Sequence, residues 1–299
     1  MRVAISGITG LVGNALRESL GAEGVELVAL TRRKSLPPLP TVTWDVEKGR
    51  FDAGSLEGVD AVVHLAGAPV AQRWTSTTKH AIRDSRVKST ELIVEGLKSL
   101  KRRPKVLVSA SAVGYYGDGG EKELIETSPA GTGFLSDVCR AWEHAAMEAM
   151  GLGIRTVVIR TGIVLSTRGG ALKKMLLPFR LGLGGPVGSG KQWMPWIHID
   201  DTVGAIRFLF EKDELMGAVN LMAPNPARNE AFSRSLAGVL RRPAILPAPA
   251  FGLKLAFGEM SEILLEGQRA VPAKLQEAGY PFRFPELKAA IEDVLRNDK

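Results

Sequence analysis

The sequence is poor in residues that build disulfide frameworks or metal centres. It has one cysteine, Cys139, and four histidines among 299 residues. A single thiol excludes an internal disulfide and a cysteine-rich zinc site, and it is compatible with a reducing compartment. The histidines show no metal-ligand spacing, and no acidic cluster accompanies them. The sequence therefore predicts no metal site.

Long apolar runs are also missing. No stretch approaches the roughly 20 apolar residues that cross a bilayer, and the first residues enter a strand pattern without the apolar region of a signal peptide. The formal charge is +7 and the isoelectric point about 9.6, but the lysines and arginines are dispersed without aromatic interleaving. We expect a cytoplasmic protein that binds small anionic ligands, with no membrane or nucleic-acid partner.

Short, β-branched apolar runs alternate with longer amphipathic segments through the first half of the chain. Such runs are typical of strands that are buried on both faces of a parallel sheet. The predicted strands are residues 2–6, 25–30, 61–66, 105–111 and 155–161, and the predicted helices are residues 11–22, 77–100 and 134–150. This alternation predicts the α/β class, with a doubly wound parallel sheet of the Rossmann type.

The pattern changes after residue 162. A glycine-rich, irregular segment comes first, then one more helix (201–213) and strand (218–223), and then helical stretches interrupted by proline. We predict a nucleotide-binding Rossmann domain and a small, mostly helical lobe on the substrate side. The predicted boundaries are 1–164 and 199–224 for the Rossmann domain, and 165–198 and 225–299 for the lobe.

The segment SGITGLVGNAL follows the first predicted strand and opens the first predicted helix. Gly7, Gly10 and Gly13 stand in it at G-x-x-G-x-x-G spacing. Glycines let the backbone turn tightly and approach a pyrophosphate, to which the helix N-terminus offers amide donors and a positive dipole. Because strand and helix flank the motif correctly, it predicts a dinucleotide site; the alternative is a tight turn without a ligand.

The second predicted strand is followed by Thr31, Arg32 and Arg33. An NAD-binding fold usually has an acidic residue about 20 positions after the glycines, bonded to the ribose 2′-hydroxyl. Guanidinium groups instead suit a 2′-phosphate, which they bind with paired hydrogen bonds. The sequence therefore favours NADP over NAD as the cofactor; the alternative is an exposed basic loop.

Further cofactor contacts follow from position, because ligands of doubly wound sheets lie beyond the carboxyl ends of the strands. We expect these residues to lie along one cleft with the glycine loop. The set comprises Thr9, Leu11, Val12, Leu65, Ala66, Gly67, Ala68, Ser109, Thr161, Gly162 and Ile163.

Several longer segments accompany the glycine loop: VDAVVHLAGA, VLVSASAVGYYG, CRAWE, LPFRLGLGGPVGSGKQWMPWIHIDD and LLEGQRAVPAKLQEAGYPFRFPEL. Together they resemble the extended short-chain dehydrogenase/reductase superfamily of NAD(P)-dependent epimerases and dehydratases. The last four are similar to one subfamily, epimerase family proteins with a C-terminal domain of unknown function. Some of its members are labelled cell-division inhibitors.

The resemblance implies that Ser111 matches the serine that hydrogen-bonds the substrate. In the superfamily a Tyr-x-x-x-Lys pair follows, in which the tyrosine transfers a proton and the lysine binds the nicotinamide ribose. A glutamate usually lies four residues after that lysine. With Glu143 as this glutamate, Cys139 and Leu135 stand at the lysine and tyrosine positions, and no other register supplies the pair. Whether the chain is an enzyme is therefore open from sequence.

Two tyrosines remain as candidates for proton transfer beside Ser111. Tyr115 and Tyr116 follow the serine strand, and the alternative for both is packing under the substrate loop. We expect inert packing for Cys139 and a satisfied core position for His64.

The segment GPVGSGK has the glycines and lysine of a P-loop, but it follows no strand and precedes no helix, so that function is rejected. We interpret it as a loop over the cleft. Arg86 stands where relatives often have an asparagine near the substrate, and His198 has the alternative of a local structural hydrogen bond. The predicted substrate contacts are Arg86, Arg180, Lys191, Gln192, Trp196 and His198.

Two functions remain open. The first is an NADP-dependent oxidoreductase or epimerase acting on a small, anionic or hydroxylated substrate. The second is a catalytically silent NADP-binding regulatory protein that contacts a partner, for example in cell division. A homodimer or a protein partner is compatible with either.

Overall fold

A computed structural model of the chain describes residues 1–32 and 36–296. The strands are β1 Arg2–Ser6, β2 Glu26–Thr31, β3 Thr41–Asp45, β4 Arg50–Phe51, β5 Ala61–His64, β6 Val106–Ala112, β7 Glu123–Leu124, β8 Arg155–Thr161, β9 Ile163–Leu165, β10 Trp193–Met194, β11 Trp196–His198, β12 Gly217–Leu221, β13 Ala227–Arg228 and β14 Arg269–Ala270. The helices are α1 Leu11–Ala22, α2 Ser76–Lys98, α3 Phe134–Met147, α4 Gly170–Arg180, α5 Ile199–Glu211, α6 Asn229–Leu240, α7 Ala250–Phe257, α8 Glu262–Leu265, α9 Ala273–Glu277 and α10 Leu287–Arg296.

The central sheet has eight strands in the order β12-β8-β6-β5-β1-β2-β3-β4. Strand β4 runs antiparallel to β3, and the other neighbouring pairs of this sheet are parallel. The order reverses beside β1, where connections go to β2 on one side and to β5 on the other. The predicted doubly wound parallel sheet is confirmed, and its switch point is the place where such sheets bind ligands.

Both faces of this sheet are buried, which explains why its strands are apolar almost throughout. Successive residues of β1 enter opposite layers: Val3 and Ile5 pack with Leu16 of α1, whereas Ala4 packs with Ile93 of α2. Helix α5 shares the first layer with α1, and α3 packs against α2 on the other side. A period of two with apolar residues on both faces is the pattern of a covered parallel sheet.

A third apolar cluster lies outside these two layers. It joins α4, α6 and α10 around Trp196, which is fully buried. The cluster draws residues from both segments that we assign to the lobe, 165–198 and 225–299, with contributions from Ile163 and Ala223.

Most element boundaries agree with the sequence prediction, and the differences have simple causes. The strand Thr41–Asp45 was not predicted, because its apolar residues alternate with exposed ones over only five positions. The helix predicted for 134–150 ends at Met147, and a 3-10 turn continues it over Glu148–Leu152. Within the described part of the chain, no helix is both long and apolar enough to cross a membrane.

Candidate functional site

Two glycines at the turn between β1 and α1 lie too close to the backbone to carry a side chain. Gly7 has a φ of +68°, and a Cβ atom there would lie 2.8 Å from the carbonyl carbon of Leu65. A Cβ atom on Gly13 would lie 2.2 Å from the carbonyl oxygen of Gly7. The loop closes through a hydrogen bond of 2.8 Å from the Gly10 N–H to the Gly7 carbonyl. Glycine at these positions is therefore a steric requirement.

The N-terminus of α1 is open to a ligand. Gly10 is the N-cap residue, so no side chain accepts a hydrogen bond from the first turn, and that turn contains no acidic residue. Thr9 and Gly10 are exposed, and Leu11 and Val12 are half-buried. Amide groups in this state, at the positive end of a helix, are suited to the diphosphate of a dinucleotide. The residues present thus fit the predicted cofactor.

A buried chain of hydrogen bonds holds this loop against the end of β5. The Ser6 hydroxyl accepts from the backbone N–H groups of Leu65 and Ala66 and contacts Nδ1 of His64 at 2.6 Å. Nε2 of His64 lies 3.0 Å from the Ser89 hydroxyl. Burial lowers the pKa of His64 from 6.5 to about 3, with a smaller contribution from a nearby arginine. The ring is neutral and fully bonded, as we expected for a satisfied core histidine.

At the other side of β1, the end of β2 presents the residues that favour NADP. Thr31 is half-buried and Arg32 is exposed. Arg33 lies outside the described residues. Strand β2 neighbours β1, so an adenosine bound beyond β2 can reach the diphosphate position at the glycine loop.

Ser111 lies near the carboxyl end of β6 and is buried. Its hydroxyl donates a hydrogen bond of 2.6 Å to Oε1 of Glu143 on α3. The same carboxylate receives two hydrogen bonds of 2.9 Å from Arg160, which stands opposite Ser111 on β8. Because the hydroxyl proton points to Glu143, the remaining capacity of the Ser111 oxygen is as an acceptor.

The two tyrosines after β6 have different environments. The Tyr116 phenol is buried, donates to Oδ1 of Asn220 at 2.7 Å, and receives a hydrogen bond from Arg160. Burial raises the pKa of Tyr116. These contacts disfavour the predicted catalytic role of Tyr116, because its hydroxyl is buried and already hydrogen-bonded within the protein. Tyr115 is half-buried, with its ring 3.4 Å from the Arg160 guanidinium, and it remains a candidate for proton transfer.

Sequence reasoning missed Arg160, which links these groups. It is 3 % exposed and bonds to Glu143, Tyr116 and the Glu126 carbonyl. A signal was available, because a charged residue near the end of the apolar run RTVVIRT requires a buried partner.

Leu135 and Cys139 lie on the face of α3 that packs against the end of β6 and the turn after it. Leu135 packs against the backbone of Gly114, and the Cys139 sulfur lies 3.8 Å from the Ala112 carbonyl oxygen. Burial raises the pKa of Cys139 to about 11, so its thiol is neutral at physiological pH. The expectation of inert packing agrees with this environment.

Most contacts predicted from position lie at strand ends. Leu65, Ala66, Gly67 and Ala68 follow β5, and Thr161, Gly162 and Ile163 surround the junction of β8 and β9. Ser109 is an exception. It is fully buried within β6, three residues before the strand ends, and its hydroxyl lies 3.5 Å from the Ala110 carbonyl of its own strand. The predicted cofactor contact of Ser109 is wrong, because the strand continues beyond it.

Several predicted substrate residues serve the fold instead. Trp196 is fully buried, and its indole N–H donates to the Asn225 carbonyl at 2.9 Å. The amide of Gln192 donates to the carbonyls of Val187 and Leu264. These contacts contradict a substrate role for Trp196 and argue against one for Gln192. Arg180 and Lys191 are exposed, at the end of α4 and in the turn before β10.

His198 also has a structural environment. Its Nδ1 atom accepts the backbone N–H of Asp200 at 3.0 Å, which caps α5 and assigns the ring proton to Nε2. Nε2 lies 3.3 Å from Asp293. His198, Asp200 and Asp293 lie beside a cavity of about 950 Å³ and bring potential ligand atoms within 4.8 Å of one another. A ring nitrogen that carries a proton donates and does not coordinate, so this cluster adds no metal site. This local hydrogen bond favours the structural alternative for His198 over the predicted substrate role.

Comparison with known proteins agrees with this architecture. The model of the NAD dependent epimerase/dehydratase family matches residues 3–221, and a domain of unknown function matches residues 248–294. The chain belongs to the NAD-dependent epimerase/dehydratase family. This confirms the resemblance that the sequence motifs indicate.

Similar proteins cover nearly the whole chain. Epimerase family protein SDR39U1 of Homo sapiens is 38% identical over 300 residues, which span 99% of this chain and 100% of the relative. A chloroplastic homolog of SDR39U1 from Arabidopsis thaliana is 38% identical over 304 residues, which span 99% of this chain and 87% of that protein. A crystal structure of human SDR39U1 (isoform 2) with NADPH has a TM-score of 0.90 and 37% identity, covering 99% of this chain and 100% of that one.

Proposed function

We propose that the protein is an NADP-dependent oxidoreductase or epimerase that acts on a small, hydroxylated or anionic substrate. The observation that carries the proposal is the N-terminus of α1, which no side chain caps. It follows a loop in which Gly7 and Gly13 exclude side chains, and it lies at the same sheet edge as Ser111. The human relative described with NADPH supports the same ligand.

The choice of NADP rests on the end of β2. Arg32 is exposed there, in the place where a 2′-phosphate of a dinucleotide bound over β1 would lie. A guanidinium group binds a phosphate with paired, charge-assisted hydrogen bonds, whereas a carboxylate would favour the free 2′-hydroxyl of NAD.

A bound nicotinamide supplies the hydride donor or acceptor. The chain itself supplies Ser111, whose oxygen accepts a hydrogen bond because its proton is donated to Glu143. An acceptor at this place orients a substrate hydroxyl better than a substrate carbonyl. The Tyr115 phenol or a water molecule then exchanges the proton with the substrate oxygen, while Arg160 and Glu143 hold Ser111 in position.

A substrate screen that follows NADPH absorbance tests the enzymatic part. For an oxidoreductase we expect hydroxylated or carbonyl compounds to change the absorbance. An epimerase regenerates its cofactor in each turnover, so that activity is followed by inversion of the substrate centre. In either assay we expect Ser111→Ala to lower kcat/KM about a hundredfold through loss of orientation. Ser109→Ala is the matched control, since Ser109 is buried two residues earlier on the same strand, and it should retain activity. Turnover that is insensitive to Ser111→Ala would contradict the assignment.

Calorimetry with NADP and NAD tests the cofactor choice. We expect NADP to bind in the micromolar range and more tightly than NAD, and we expect Arg32→Ala or Arg33→Ala to reduce the difference. Equal affinity for the two dinucleotides would refute the argument from the 2′-phosphate.

A second function is supported by a specific observation. The α3 positions that would carry a tyrosine and a lysine are occupied by Leu135 and by Cys139, whose thiol is neutral. A protein that binds NADP without turnover and contacts a partner through its C-terminal lobe fits this substitution. NADPH binding together with a negative substrate screen would favour this second function.

A further inference from the structure

The lobe carries an apolar surface that no other described part of the chain covers. Among the described residues, most of the exposed large apolar side chains lie in two of its segments, 177–183 and 245–263. Helix α7 contains no buried residue. A concentration of exposed apolar side chains in one region marks a site of interaction. The side chains concerned are Leu177, Leu181, Leu183, Ile245, Leu246, Phe251, Leu255, Phe257 and Ile263.

Two neighbouring runs of backbone give this surface a direction. At one end, a Cβ atom on Gly182 would lie 3.6 Å from the side chain of Pro243. At the other end, a Cβ atom on Gly188 would lie 3.8 Å from Ala250 and 2.9 Å from Leu265. A parallel bridge joins the two runs between these points. The surface is therefore a strip with two distinct ends, one at the turn after α6 and the other at α8, and six extended residues span at most about 20 Å between them.

The two ends of the strip carry opposite charges. Arg241 and Arg242 are exposed directly after α6 and form the basic end, and Glu262 and Glu266, at α8, form the acidic end. Within the described part of the chain, none of these four side chains forms an ion pair. Burial and the neighbouring charge of Glu262 raise the pKa of Glu266. Each end thus lacks an opposite charge of the kind that the other end presents.

The acidic end also has an opening for side chains of a partner. A cavity of about 650 Å³ lies beside α7 and α8, and its lining includes Glu262, Glu266 and Lys254. Glu259 lines it too, but this carboxylate pairs with Lys79 of α2. A guanidinium group that enters the cavity can therefore pair with carboxylates that have no partner within the chain.

The charges of the two ends discriminate between possible occupants. An anionic bilayer or an acidic peptide suits the basic end, but the acidic end repels it. A second copy of the chain, turned by a two-fold axis, brings the basic end of each copy to the acidic end of the other and the apolar residues of both copies together. Phe251 and Leu255, which are 77% and 72% exposed, are then covered.

We propose that the strip binds a second copy of the chain in a two-fold symmetric dimer, with the basic end of each copy against the acidic end of the other. The proposal is independent of NADPH binding and of turnover. Helices α7 and α8 lie in residues 248–294, which match the domain of unknown function, so this domain gains a role in assembly.

Sedimentation velocity of the ligand-free protein tests the assembly. At about 1–100 µM we expect a species of twice the 32.1 kDa of the chain, and we expect salt to weaken it. Phe251→Ser and Leu255→Ser should each raise the dimer dissociation constant about a hundredfold. Met150→Ser is the matched control, because Met150 is exposed outside the strip and should leave the dimer intact. Circular dichroism checks that each variant is folded.

The second test exchanges the charges of the two ends. One variant combines Arg241→Glu with Arg242→Glu, and the other combines Glu262→Lys with Glu266→Lys. Each variant alone should be monomeric, because like charges meet at both contacts. An equimolar mixture of the two should regain the dimer, because both contacts then join opposite charges. This recovery requires the basic end of one copy to meet the acidic end of the other.

Three results would overturn the proposal. The first is an unmodified protein that stays monomeric over the whole concentration range. The second is a dimer that neither Phe251→Ser nor Leu255→Ser weakens, because the interface then lies elsewhere. The third is a mixture of the two charge variants that stays monomeric. A monomer that sediments with vesicles of phosphatidylglycerol and phosphatidylcholine, and loses this binding in Phe251→Ser, would identify the strip as a membrane-binding surface instead.

Discussion

Ser111 shows how a single buried contact changes what a residue can do. As an isolated hydroxyl it can donate or accept, but its bond to Glu143 leaves only the acceptor function toward a ligand. Glu143 is held in turn by Arg160. Burial alone would lower the pKa of Arg160, but the hydrogen bonds and charge of Glu143 raise it. Arg160 is therefore charged, and its two hydrogen bonds hold the Glu143 carboxyl group where it accepts the hydrogen bond of the Ser111 hydroxyl.

The sequence identified candidate site residues better than it identified the residues to which they are hydrogen-bonded. Ser111 was predictable because its motif and its position near the end of a buried strand coincide. Its partner Arg160 was not, because Ser111 and Arg160 are separated by 49 positions in the sequence and meet only through the pairing of β6 with β8. Trp196 was misassigned for a related reason, since an aromatic residue in a glycine-rich segment has the same local pattern whether it lies in a cleft or in a core.

His64 gives the protein a predictable weakness in acid. Its pKa is about 3 in the folded protein and near 6.5 in the unfolded chain, so between these values the unfolded chain binds a proton that the folded protein does not. Stability from this residue is therefore complete above about pH 6.5 and falls as the pH decreases. Between pH 6.5 and pH 5 we expect the free energy of unfolding to fall by about 2 kcal/mol on this account.

Urea unfolding of the protein and of His64→Gln across that pH range measures this contribution. The variant should be less stable near pH 7 and should show a shallower decline. His144→Gln is the control, because that histidine is exposed on α3 and should leave the slope unchanged. Parallel curves for the protein and His64→Gln would show that His64 does not limit stability in acid.

The bounds of helices and strands were predicted most accurately where a steric requirement and the spacing of apolar residues indicate the same boundary. Helix α1 begins and ends where the sequence places it, at Leu11–Ala22, since the glycine loop determines its start. Strand β3 was missed because its alternation is short. The pairs β14–β7 and β10–β13 could not be predicted from the sequence either. A strand of two residues is too short to show a hydrophobic alternation, and it is defined only by its pairing with another strand.

Two glycines of α1 should respond in opposite ways to the same substitution. A Cβ atom on Gly13 would lie 2.2 Å from the Gly7 carbonyl oxygen, whereas a Cβ atom on Gly21 has no neighbour within 4 Å. We expect Gly13→Ala to destabilise the protein by about 2 kcal/mol and to abolish NADPH binding, because the loop must open. Gly21→Ala should stabilise it by about 0.5–1 kcal/mol through helix propensity.

Thermal unfolding and NADPH calorimetry on the two variants check this pair. If Gly13→Ala binds NADPH as tightly as the unmodified protein, the loop tolerates a side chain and the steric explanation is wrong. Gly21→Ala serves as the internal control for any effect of alanine on α1 itself.

For the whole molecule, the sequence indicated two units built from interleaved segments. The apolar cluster around Trp196 draws on both segments assigned to the lobe, whereas Ile197 and Leu275 of the same segments pack in the first layer of the sheet, so the division stays a prediction. What the sequence did not show is how firmly the lobe is attached. The attachment depends on contacts between residues about 80 positions apart, which no local pattern specifies.

Asp201 makes several of these contacts, all with residues 280–284. It is fully buried at the start of α5, and its carboxylate accepts the backbone N–H groups of Arg283 and Phe284 at 2.8 and 2.9 Å. The hydroxyl of Tyr280 donates to its carbonyl at 3.0 Å. A single carboxylate thus orders the tail that leads into α10.

Replacement of Asp201 should therefore loosen the lobe. Asp201→Ala leaves two backbone donors of the tail without an acceptor, and we expect a loss of about 2–3 kcal/mol in the free energy of unfolding. The neighbouring Asp200→Ala is the matched control, because Asp200 pairs with the exposed Arg283 side chain at the surface and should change stability by less than about 1 kcal/mol. Urea unfolding measures both values, and limited proteolysis should cut Asp201→Ala first near residues 280–284. Equal stability and equal cleavage of the two variants would mean that apolar contacts, such as those of Tyr280 and Phe282 with the first layer, hold the tail without this carboxylate.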